Sequence, residues 1–166
     1  EDGLTNAIKR FPGNPILSPR PGVNWEAKGF LNPAAIYLQD KFHILYRAVA
    51  PDDLSTMGYA SSKDGLSIDE RLPEPVYGPR TDFERRGCED PRLMKLGTDI
   101  YMLYTGYDGS TPRVAITYIS EKDFLARKWD KWAMPEAITP PSIPNKDASI
   151  LTEKINGKYM LFHRVG

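Results

Sequence analysis

Apolar and polar residues alternate in short runs along the chain, and paired runs recur at a fixed spacing. Each pair consists of two apolar runs around a short polar turn, a pattern that predicts a β-hairpin. Three hairpins are predicted in this way, at residues 35–46, 93–104 and 150–162. Tyr46, Tyr104 and Phe162 end their second strands, 58 residues apart in both steps, so we expect them to occupy equivalent positions.

A second strand-forming unit follows each of the first two hairpins, at residues 57–65 and 114–123. Two such units within about 58 residues make a four-stranded antiparallel module, which has the size and content of a β-propeller blade. A helical period can be sustained only near residues 121–132. The alternative is a β-sandwich whose hairpins merely resemble one another.

The modules start near Asn32, Asp90 and Asp147, so the chain contains two of them and the first hairpin of a third. Propellers close with about four to eight blades. We therefore expect one incomplete propeller domain over residues 1–166, with exposed sheet edges near Gly166. Further residues, another chain or disorder would cover those edges.

Composition narrows the possible partners. The 166 residues are 40% hydrophobic, and 22 basic side chains balance 22 acidic ones, so no net field recruits nucleic acid or an anionic membrane. No apolar run approaches the roughly 20 residues of a membrane span, and the beginning of the chain lacks the order of a signal peptide. Cys88 is the only cysteine, which excludes an intramolecular disulfide and favours a reducing compartment, so we expect a cytoplasmic protein.

Polar residues open each repeat, just ahead of its first apolar strand. Because the innermost strands of a propeller converge on its axis, Asn32, Asp90 and Asp147 are predicted to surround one central depression. Arg47 and His163 are predicted to form a second set of equivalent positions. The alternative for Asn32 and Asp90 is a simple turn, because Asn-Pro and Asp-Pro begin turns with or without a ligand.

The segment 87–92 is the first candidate site. It places Glu89, Asp90 and Arg92 together ahead of a buried strand, where the fold gains nothing from charge. Glu89 either helps to raise the pKa of a neighbouring carboxyl group or forms an ion pair with Arg92.

The remaining aromatic and histidine side chains are interpreted mainly as structural. His43 lies on a predicted strand with no motif around it, and Trp129 and Trp132 suit packing between blades. Trp25 is kept as a candidate residue at the rim of the site. No cluster has metal-ligand spacing and two histidines are too few for a zinc site, so neither a metal nor a cofactor is expected.

Six short motifs, taken in order, resemble glycoside hydrolase family 130, the β-mannoside phosphorylases and β-mannosidases. They are Asn32-Pro33-Ala34, Tyr46-Arg47-Ala48, Gly87-Cys88-Glu89-Asp90-Pro91-Arg92, Tyr104-Thr105-Gly106-Tyr107, Asn145-Lys146-Asp147-Ala148 and His163-Arg164. Their order and spacing match the family along nearly the whole chain. The resemblance implies an all-β fold, a five-bladed β-propeller of which this chain supplies about two and a half blades, with its site on the axis.

The resemblance also implies roles for these residues. Asp90 is implied as the catalytic acid, which delivers its proton to the glycosidic oxygen by way of a mannose hydroxyl. Asn32 and Arg47 look like mannose ligands, and Asp147 is a further candidate for contact with the substrate.

An inverting phosphorylase replaces the second carboxylate of an inverting glycosidase with a cationic site for phosphate. Lys146, His163 and Arg164 supply such a cluster, and similar positions in family phosphorylases bind phosphate through charge-assisted hydrogen bonds. Arg113 is a fourth candidate phosphate ligand. Alternatively, Lys146 is simply solvated and Arg113 pairs with Asp108.

We therefore predict inverting phosphorolysis of β-mannosides, of the manno-oligosaccharide or mannosyl-glucose type, to α-mannose 1-phosphate. Inorganic phosphate is the co-substrate. Three alternatives stay open: an inverting β-mannosidase that uses water, a five-bladed furanosidase of a sister family, and a glycan-binding propeller without catalysis. We expect a chain with these residues alone to be a poor catalyst. The oligomeric state stays open, including a homo-oligomer in which two chains complete a ring.

Overall fold

The structure is a computed structural model that describes residues 9–166, and β-strands make up most of its regular structure. The ten strands of this part are β1 (Gly29–Leu38), β2 (Lys41–Val49), β3 (Ser55–Ser62), β4 (Glu70–Arg71), β5 (Gly87–Leu96), β6 (Asp99–Tyr107), β7 (Pro112–Ser120), β8 (Glu136–Ala137), β9 (Asn145–Ile150) and β10 (Leu161–Val165). The helices are α1 (Glu121–Leu125) and the 3-10 helices Asn24–Glu26, Asp82–Glu84 and Trp129–Lys131.

Two antiparallel blades and one further hairpin account for these strands. The first blade pairs β1, β2, β3 and β4 in that order, the second pairs β5, β6, β7 and β8, and β9 pairs with β10. One parallel bridge, between Ser55 and Gly87, joins the two blades. β1 lies beside β5 and β5 contacts β9, so the first strands gather in one region, as the innermost strands of a propeller do. The predicted hairpins and blade organisation are confirmed.

Large apolar side chains pack between the two blades. One buried cluster takes side chains from both: Leu45, Met57 and Tyr59 from the first, and Ile100, Met102 and Tyr104 from the second. Phe124 of α1 packs edge-on against Trp129 and Trp132, with ring centroids 5.4 and 6.3 Å apart. Burying a side chain of this size stabilises the fold by roughly 1.5–3 kcal/mol. Helical structure near residues 121–132 and packing roles for these tryptophans are therefore confirmed.

Each first strand contains a β-bulge at the polar residue that opens the repeat. The pairing of β1 with β2 changes register after Leu31, that of β5 with β6 changes after Glu89, and the pairing of β9 with β10 shifts in the same way. Asn32, Asp90 and Asp147 have positive φ angles of 42°, 54° and 56°. A bulge bends its strand and changes the direction of its side chains. These residues thus lie within strands rather than in the simple turns that Asn-Pro and Asp-Pro could also have formed.

The third hairpin shows that one predicted equivalence is wrong by one residue. Tyr46 and Tyr104 stand opposite the bulges of the two blades, on β2 and β6. Phe162 lies on the second strand of its hairpin, as predicted, but His163 is the residue that stands opposite the bulge at Asp147.

The same shift changes the second set of polar positions. Arg164, rather than His163, pairs with the residue before the bulge of its hairpin, as Arg47 does in the first blade. The cause is the segment between the bulge and the turn. On the first strand, this segment is two residues longer in the third hairpin than in the blades. An apolar pattern does not reveal these two extra residues, because the segment that contains them, 151–155, includes apolar residues.

The last hairpin presents an open edge. Within residues 9–166, β10 pairs with β9 alone, and Phe162 and Val165 are 55% and 61% exposed. The predicted exposed edge near Gly166 is therefore confirmed. No helix in the described part of the chain is long and apolar enough to cross a membrane.

Candidate active site

A guanidinium group from the first blade reaches two carboxylates of the second. Arg47 on β2 donates from Nη2 to Glu89 Oε1 at 2.9 Å, and its Nη1 lies 3.4 Å from Asp90 Oδ1. Arg47 Nε donates to Ser55 Oγ at 3.0 Å, which holds the guanidinium at the junction of the blades. The side chains of Arg47, Glu89 and Asp90 are only 20%, 13% and 10% exposed. The structure therefore brings two of the predicted site residues, Arg47 and Asp90, into contact.

The bulge at Asp90 explains how two adjacent carboxylates meet one guanidinium. In a regular strand, successive side chains point to opposite faces of the sheet, so only one of the two would reach Arg47. The left-handed backbone at Asp90 breaks this alternation and turns its carboxylate to the side on which Glu89 already lies. Residues other than glycine rarely adopt this conformation, which is commonly found at functional sites.

Glu89 bonds to Arg47, a contact that neither of its two predicted roles included. Burial raises the pKa of Glu89; the charge of Arg47 opposes this shift, that of Asp90 adds to it, and Lys146 opposes it. The predicted ion pair between Glu89 and Arg92 is wrong, because Arg92 Nη1 donates to the backbone carbonyl of the preceding residue at 2.8 Å. The only sequence signal for the observed pairing is the position of Glu89 directly beside Asp90.

Asn32 and Asp147 stand at the equivalent bulges of β1 and β9, and both are exposed. The strands that carry Asn32 and Asp90, β1 and β5, lie beside each other. Asp147 Oδ2 accepts a hydrogen bond from Arg164 Nε at 2.8 Å, and these two side chains are 41% and 57% exposed. So exposed an ion pair contributes little to stability, which leaves both groups available to a ligand.

The predicted phosphate ligands of the third repeat lie on one hairpin. Lys146 and Arg164 are cross-strand partners on β9 and β10, so their side chains project from the same face. His163 Nδ1 lies 2.8 Å from Asn145 Oδ1. Asn145 Nδ2 donates to the carbonyl of Ile143, so its Oδ1 is the acceptor and His163 Nδ1 carries the hydrogen. Nε2 is then the ring atom with which His163 can contact a ligand.

Arg113 is engaged in a different part of the second blade. Its Nε and Nη2 on β7 donate to the carbonyl of Thr139 at 2.9 and 2.7 Å, and its guanidinium lies 5.7 Å from the centre of the Phe83 ring. The alternative pairing with Asp108 is wrong, because that carboxylate accepts hydrogen bonds from backbone amides of its own loop. The structure does not bring Arg113 into either of the two charged groups described above.

His43 and Trp25 have structural surroundings. His43 is 7% exposed and lies 2.7 Å from Tyr59 Oη, and burial lowers its pKa. Trp25 Nε1 donates to the carbonyl of Pro73 at 2.9 Å, and its ring stacks on Tyr46 with centroids 6.3 Å apart. The structural interpretation of His43 is confirmed, and Trp25 packs within the first blade instead of presenting its face at a rim.

A cavity of about 630 Å³ lies against the first blade and is lined by apolar side chains that include Leu17, Phe30 and Ile44. It contains none of the charged groups described above, so it does not suit a sugar, which needs polar partners for its hydroxyls. Among residues 9–166, no group of three or more His, Cys, Asp or Glu side chains could hold a metal ion.

Residues 7–166 match the family model of glycoside hydrolase family 130, whose description is beta-1,4-mannooligosaccharide phosphorylase. Two relatives from Thermoanaerobacter sp. (strain X514) are each 38% identical to the chain: 1,2-beta-oligomannan phosphorylase over 165 residues and beta-1,2-mannobiose phosphorylase over 171 residues. Each alignment covers 95% of this chain and 53% or 54% of the relative. The chain thus spans about half the length of the curated relatives it matches.

A solved structure extends the comparison to three dimensions. It comes from work that describes the GH130 family of mannoside phosphorylases as containing glycoside hydrolases that target beta-1,2 mannosidic linkages in Candida mannan. The two superpose with a TM-score of 0.80 at 25% identity, over 93% of this chain and 52% of the other.

The fold and these matches define a carbohydrate-active β-propeller. The chain belongs to glycoside hydrolase family 130, as its motifs implied. The predicted fold class is confirmed: the chain is all-β and supplies about two and a half blades of a five-bladed propeller. The individual roles of Asp90, Asn32, Arg47 and Asp147, and of the phosphate candidates Lys146, His163, Arg164 and Arg113, stay predictions.

Proposed function

We propose that the whole protein catalyses the inverting phosphorolysis of β-mannosides, with α-mannose 1-phosphate as a product. The observation that carries this proposal is the arrangement around the three equivalent bulges. The second blade offers a carboxylate, Asp90, beside the guanidinium of Arg47, and the third hairpin offers cations, Lys146 and Arg164, on one face. An acid and a separate cationic group are what an inverting phosphorylase needs.

The reaction is a single displacement. An oxygen of phosphate attacks the anomeric carbon from the face opposite the departing sugar, and the bond between that carbon and the glycosidic oxygen breaks. The proton that the departing oxygen requires comes from the Asp90 carboxyl group by way of a mannose hydroxyl. Asn32, Arg47 and Asp147 bind the mannose unit in this proposal. A substrate hydroxyl near Asp90 competes with the carboxylate for Arg47, whose Nη1 lies 3.4 Å away.

In this proposal phosphate binds to the third hairpin through Lys146, His163 and Arg164, and Arg113, which is held by the Thr139 carbonyl, is left out. Charge-assisted hydrogen bonds from a guanidinium to phosphate are short and directional. Arg164 already holds one anionic group, the carboxylate of Asp147, at 2.8 Å. Inorganic phosphate is the co-substrate, and the reaction as proposed uses no other cofactor, no nucleic acid and no membrane.

The linkage we propose is β-1,2, because both relatives at 38% identity carry it in their names. The family model is described by a β-1,4 activity, so β-1,4-mannobiose is the substrate to compare. We further propose that the reaction takes place in the cytoplasm, because the single Cys88 suits a reducing compartment.

Hydrolysis is the second candidate function. A solved structure at 25% identity comes from work on glycoside hydrolases of this same family. In that case water replaces phosphate as the attacking group, and a second carboxylate has to activate it. Asp147 is the exposed carboxylate of the described site that could take that part, once it is released from Arg164.

The deciding experiment incubates the whole protein with β-1,2-mannobiose, and separately with β-1,4-mannobiose, with and without inorganic phosphate. We expect cleavage to require phosphate, to saturate with it and to release mannose 1-phosphate, whose anomeric configuration is read by NMR spectroscopy. Release of free mannose at equal rates with and without phosphate would favour the hydrolase. Binding of either disaccharide without any cleavage would favour a glycan-binding propeller.

A further inference from the structure

The two blades share a buried pair of side chains, in which a tyrosine from the motifs above is bonded to a glutamate that no motif includes. Tyr46 donates its hydroxyl hydrogen to Glu26 Oε2 at 2.9 Å, and Tyr104 donates to Glu84 Oε2 at 2.5 Å. Both glutamates are fully buried, and the tyrosines are 0% and 2% exposed. The glutamates are 58 residues apart, as the tyrosines are, so the pair repeats with the blades.

Each pair lies directly behind a bulge. The glutamate ends the 3-10 helix that leads into the first strand of its blade, and the tyrosine stands on the second strand opposite the bulge. The hydrogen bond therefore ties the chain just before the first strand to the strand that pairs with it. Along the chain, the bulged residue, Asn32 or Asp90, lies between the glutamate and the tyrosine that this hydrogen bond joins.

The surroundings of the two glutamates differ, and only the bond to tyrosine is common to both. Glu26 also forms ion pairs with Arg20 and Arg71. Glu84 Oε1 instead accepts hydrogen bonds from two backbone amides, of Arg80 at 2.7 Å and of Thr81 at 3.1 Å. The shared element is thus a phenol bonded to a carboxylate, and it occurs where the two blades share a bulge.

The tyrosine hydroxyls stay protonated and able to donate near neutral pH. Burial raises the pKa of Tyr46 to about 12 and raises that of Tyr104 above its usual value.

In the third hairpin the position opposite the bulge is taken by His163, which is bonded to Asn145 at 2.8 Å. Each of the three residues opposite a bulge therefore has a hydrogen-bonded anchor.

A bulge with a left-handed residue needs such support. Residues other than glycine avoid this conformation, and it persists only where the surroundings determine it from more than one side. We propose that Tyr46 and Tyr104 are positioning residues, which hold the bulges that present Asn32 and Asp90 through their bonds to Glu26 and Glu84. The effect on catalysis rests on the function proposed above, whereas the effect on the bulge does not.

Two matched substitutions test the inference in the whole protein. Tyr104→Phe removes the hydroxyl behind the predicted acid and should lower kcat for phosphorolysis at least about tenfold, with KM for the mannoside changed less than about twofold. Tyr46→Phe removes the hydroxyl behind the predicted sugar ligand and should raise KM for the mannoside at least about threefold, with a smaller change in kcat. Tyr101→Phe is the control, because Tyr101 packs against Tyr118 on the same sheet and should leave both constants unchanged.

A double-mutant cycle separates positioning from loss of stability. If Tyr104 acts through Asp90, Tyr104→Phe should lower kcat in the wild-type protein and change it little in a protein that already carries Asp90→Asn. An equal loss in both backgrounds would mean that Tyr104 only stabilises the fold, and would overturn the inference. If Tyr104→Phe does not fold, Tyr46→Phe combined with Asn32→Ala gives the same test on the first blade, with KM as the readout.

Crystal structures of the variants give a test that needs no activity. We expect Tyr104→Phe to shift the backbone at position 90 and to lengthen the 3.4 Å contact between Arg47 Nη1 and the Asp90 carboxylate. An unchanged bulge in Tyr104→Phe would overturn the inference even if the wild-type protein is an active phosphorylase. An inactive wild-type protein whose variant bulge moves as expected would instead contradict only the proposed function.

Discussion

Arg47 and Asp90 belong to different blades, yet Arg47 Nη1 lies 3.4 Å from Asp90 Oδ1. The candidate site is therefore built at the contact between blades, and neither blade contains it alone. Glu89 takes the shorter bond to the same guanidinium, at 2.9 Å, so the positive charge of Arg47 is shared between two carboxylates. A mannoside that binds to Arg47 has to replace part of this arrangement, which couples sugar binding to the surroundings of the predicted acid.

Asp90→Asn tests the predicted acid. Asparagine keeps the size and most hydrogen bonds of the side chain but has no carboxyl proton to donate, so turnover of the whole protein should fall at least about a hundredfold. Circular dichroism and thermal unfolding should show a folded protein. Asp130→Asn, at a carboxylate whose side chain is 73% exposed, is the matched control and should keep full turnover. Near-normal turnover of Asp90→Asn on a mannoside with a poor leaving group would remove Asp90 from this role.

Arg164→Ala tests the predicted phosphate site. The substitution removes a charge-assisted contact to one substrate only, so KM for phosphate should rise at least about tenfold while KM for the mannoside changes little. Initial rates with phosphate and mannoside varied independently give both constants. Arg127→Ala, which breaks an ion pair with Glu70 outside the site, should alter neither constant. Equal increases in both constants would assign Arg164 to sugar binding or to the fold.

The raised pKa of Glu89 predicts that the stability of the folded protein depends on pH. Because burial raises its pKa in the folded protein, the folded state binds a proton at Glu89 more readily than the unfolded state, whose value is near 4.5. The stabilising contribution of this group is then complete below pH 4.5 and is lost as the pH rises through the higher folded value. Glu89→Gln removes the titration, so its free energy of unfolding should rise relative to wild type between about pH 4 and pH 7.

Urea unfolding of the whole protein at several pH values measures this difference. The control is Glu136→Gln on β8, an exposed position, which should follow the wild-type curve. A stability difference between wild type and Glu89→Gln that stays constant over this range would contradict the raised pKa.

Cys88 offers a test on the 166-residue chain itself, because it is the only cysteine. Its side chain is fully buried, and burial, together with the charge of Glu84, raises the pKa of its thiol. Both effects oppose the thiolate that reacts with labelling reagents. We expect a disulfide reagent to modify Cys88 slowly in buffer and rapidly in denaturant. Equally fast labelling in both would show that this chain does not form the described core.

The sequence predicted the blades and the equivalence of the polar residues that open them, because both follow from spacing and local residue type. The 58-residue repeat of Tyr46 and Tyr104 placed two hairpins correctly, and Asn32, Asp90 and Asp147 were correctly matched. The register of the third hairpin was not predictable in this way. A two-residue insertion before the turn leaves the alternation of apolar residues intact on either side of it.

Contacts between blades were the part that the sequence could not supply. The pairing of Arg47 with Glu89 depends on how β2 lies against β5 and on a backbone reversal at Asp90, and neither is encoded in a local pattern. The buried Glu26 and Glu84 were, in principle, detectable, since their spacing equals that of the tyrosines they bind.

The single backbone bridge between the blades sets their separation. A Cβ atom on Gly87 would lie 2.9 Å from the Cβ of Ser55, so the two backbones are as close as a hydrogen atom at this position permits. Ser55 Oγ also accepts a hydrogen bond from Arg47 Nε at 3.0 Å, so the guanidinium is bonded to a residue of this bridge. A larger residue at position 87 would push the two blades apart. It would move Arg47 away from Asp90 while leaving the hydrogen bonds inside each blade unbroken. The distance between Arg47 and Asp90 in the candidate site therefore depends on a glycine that bears no functional group.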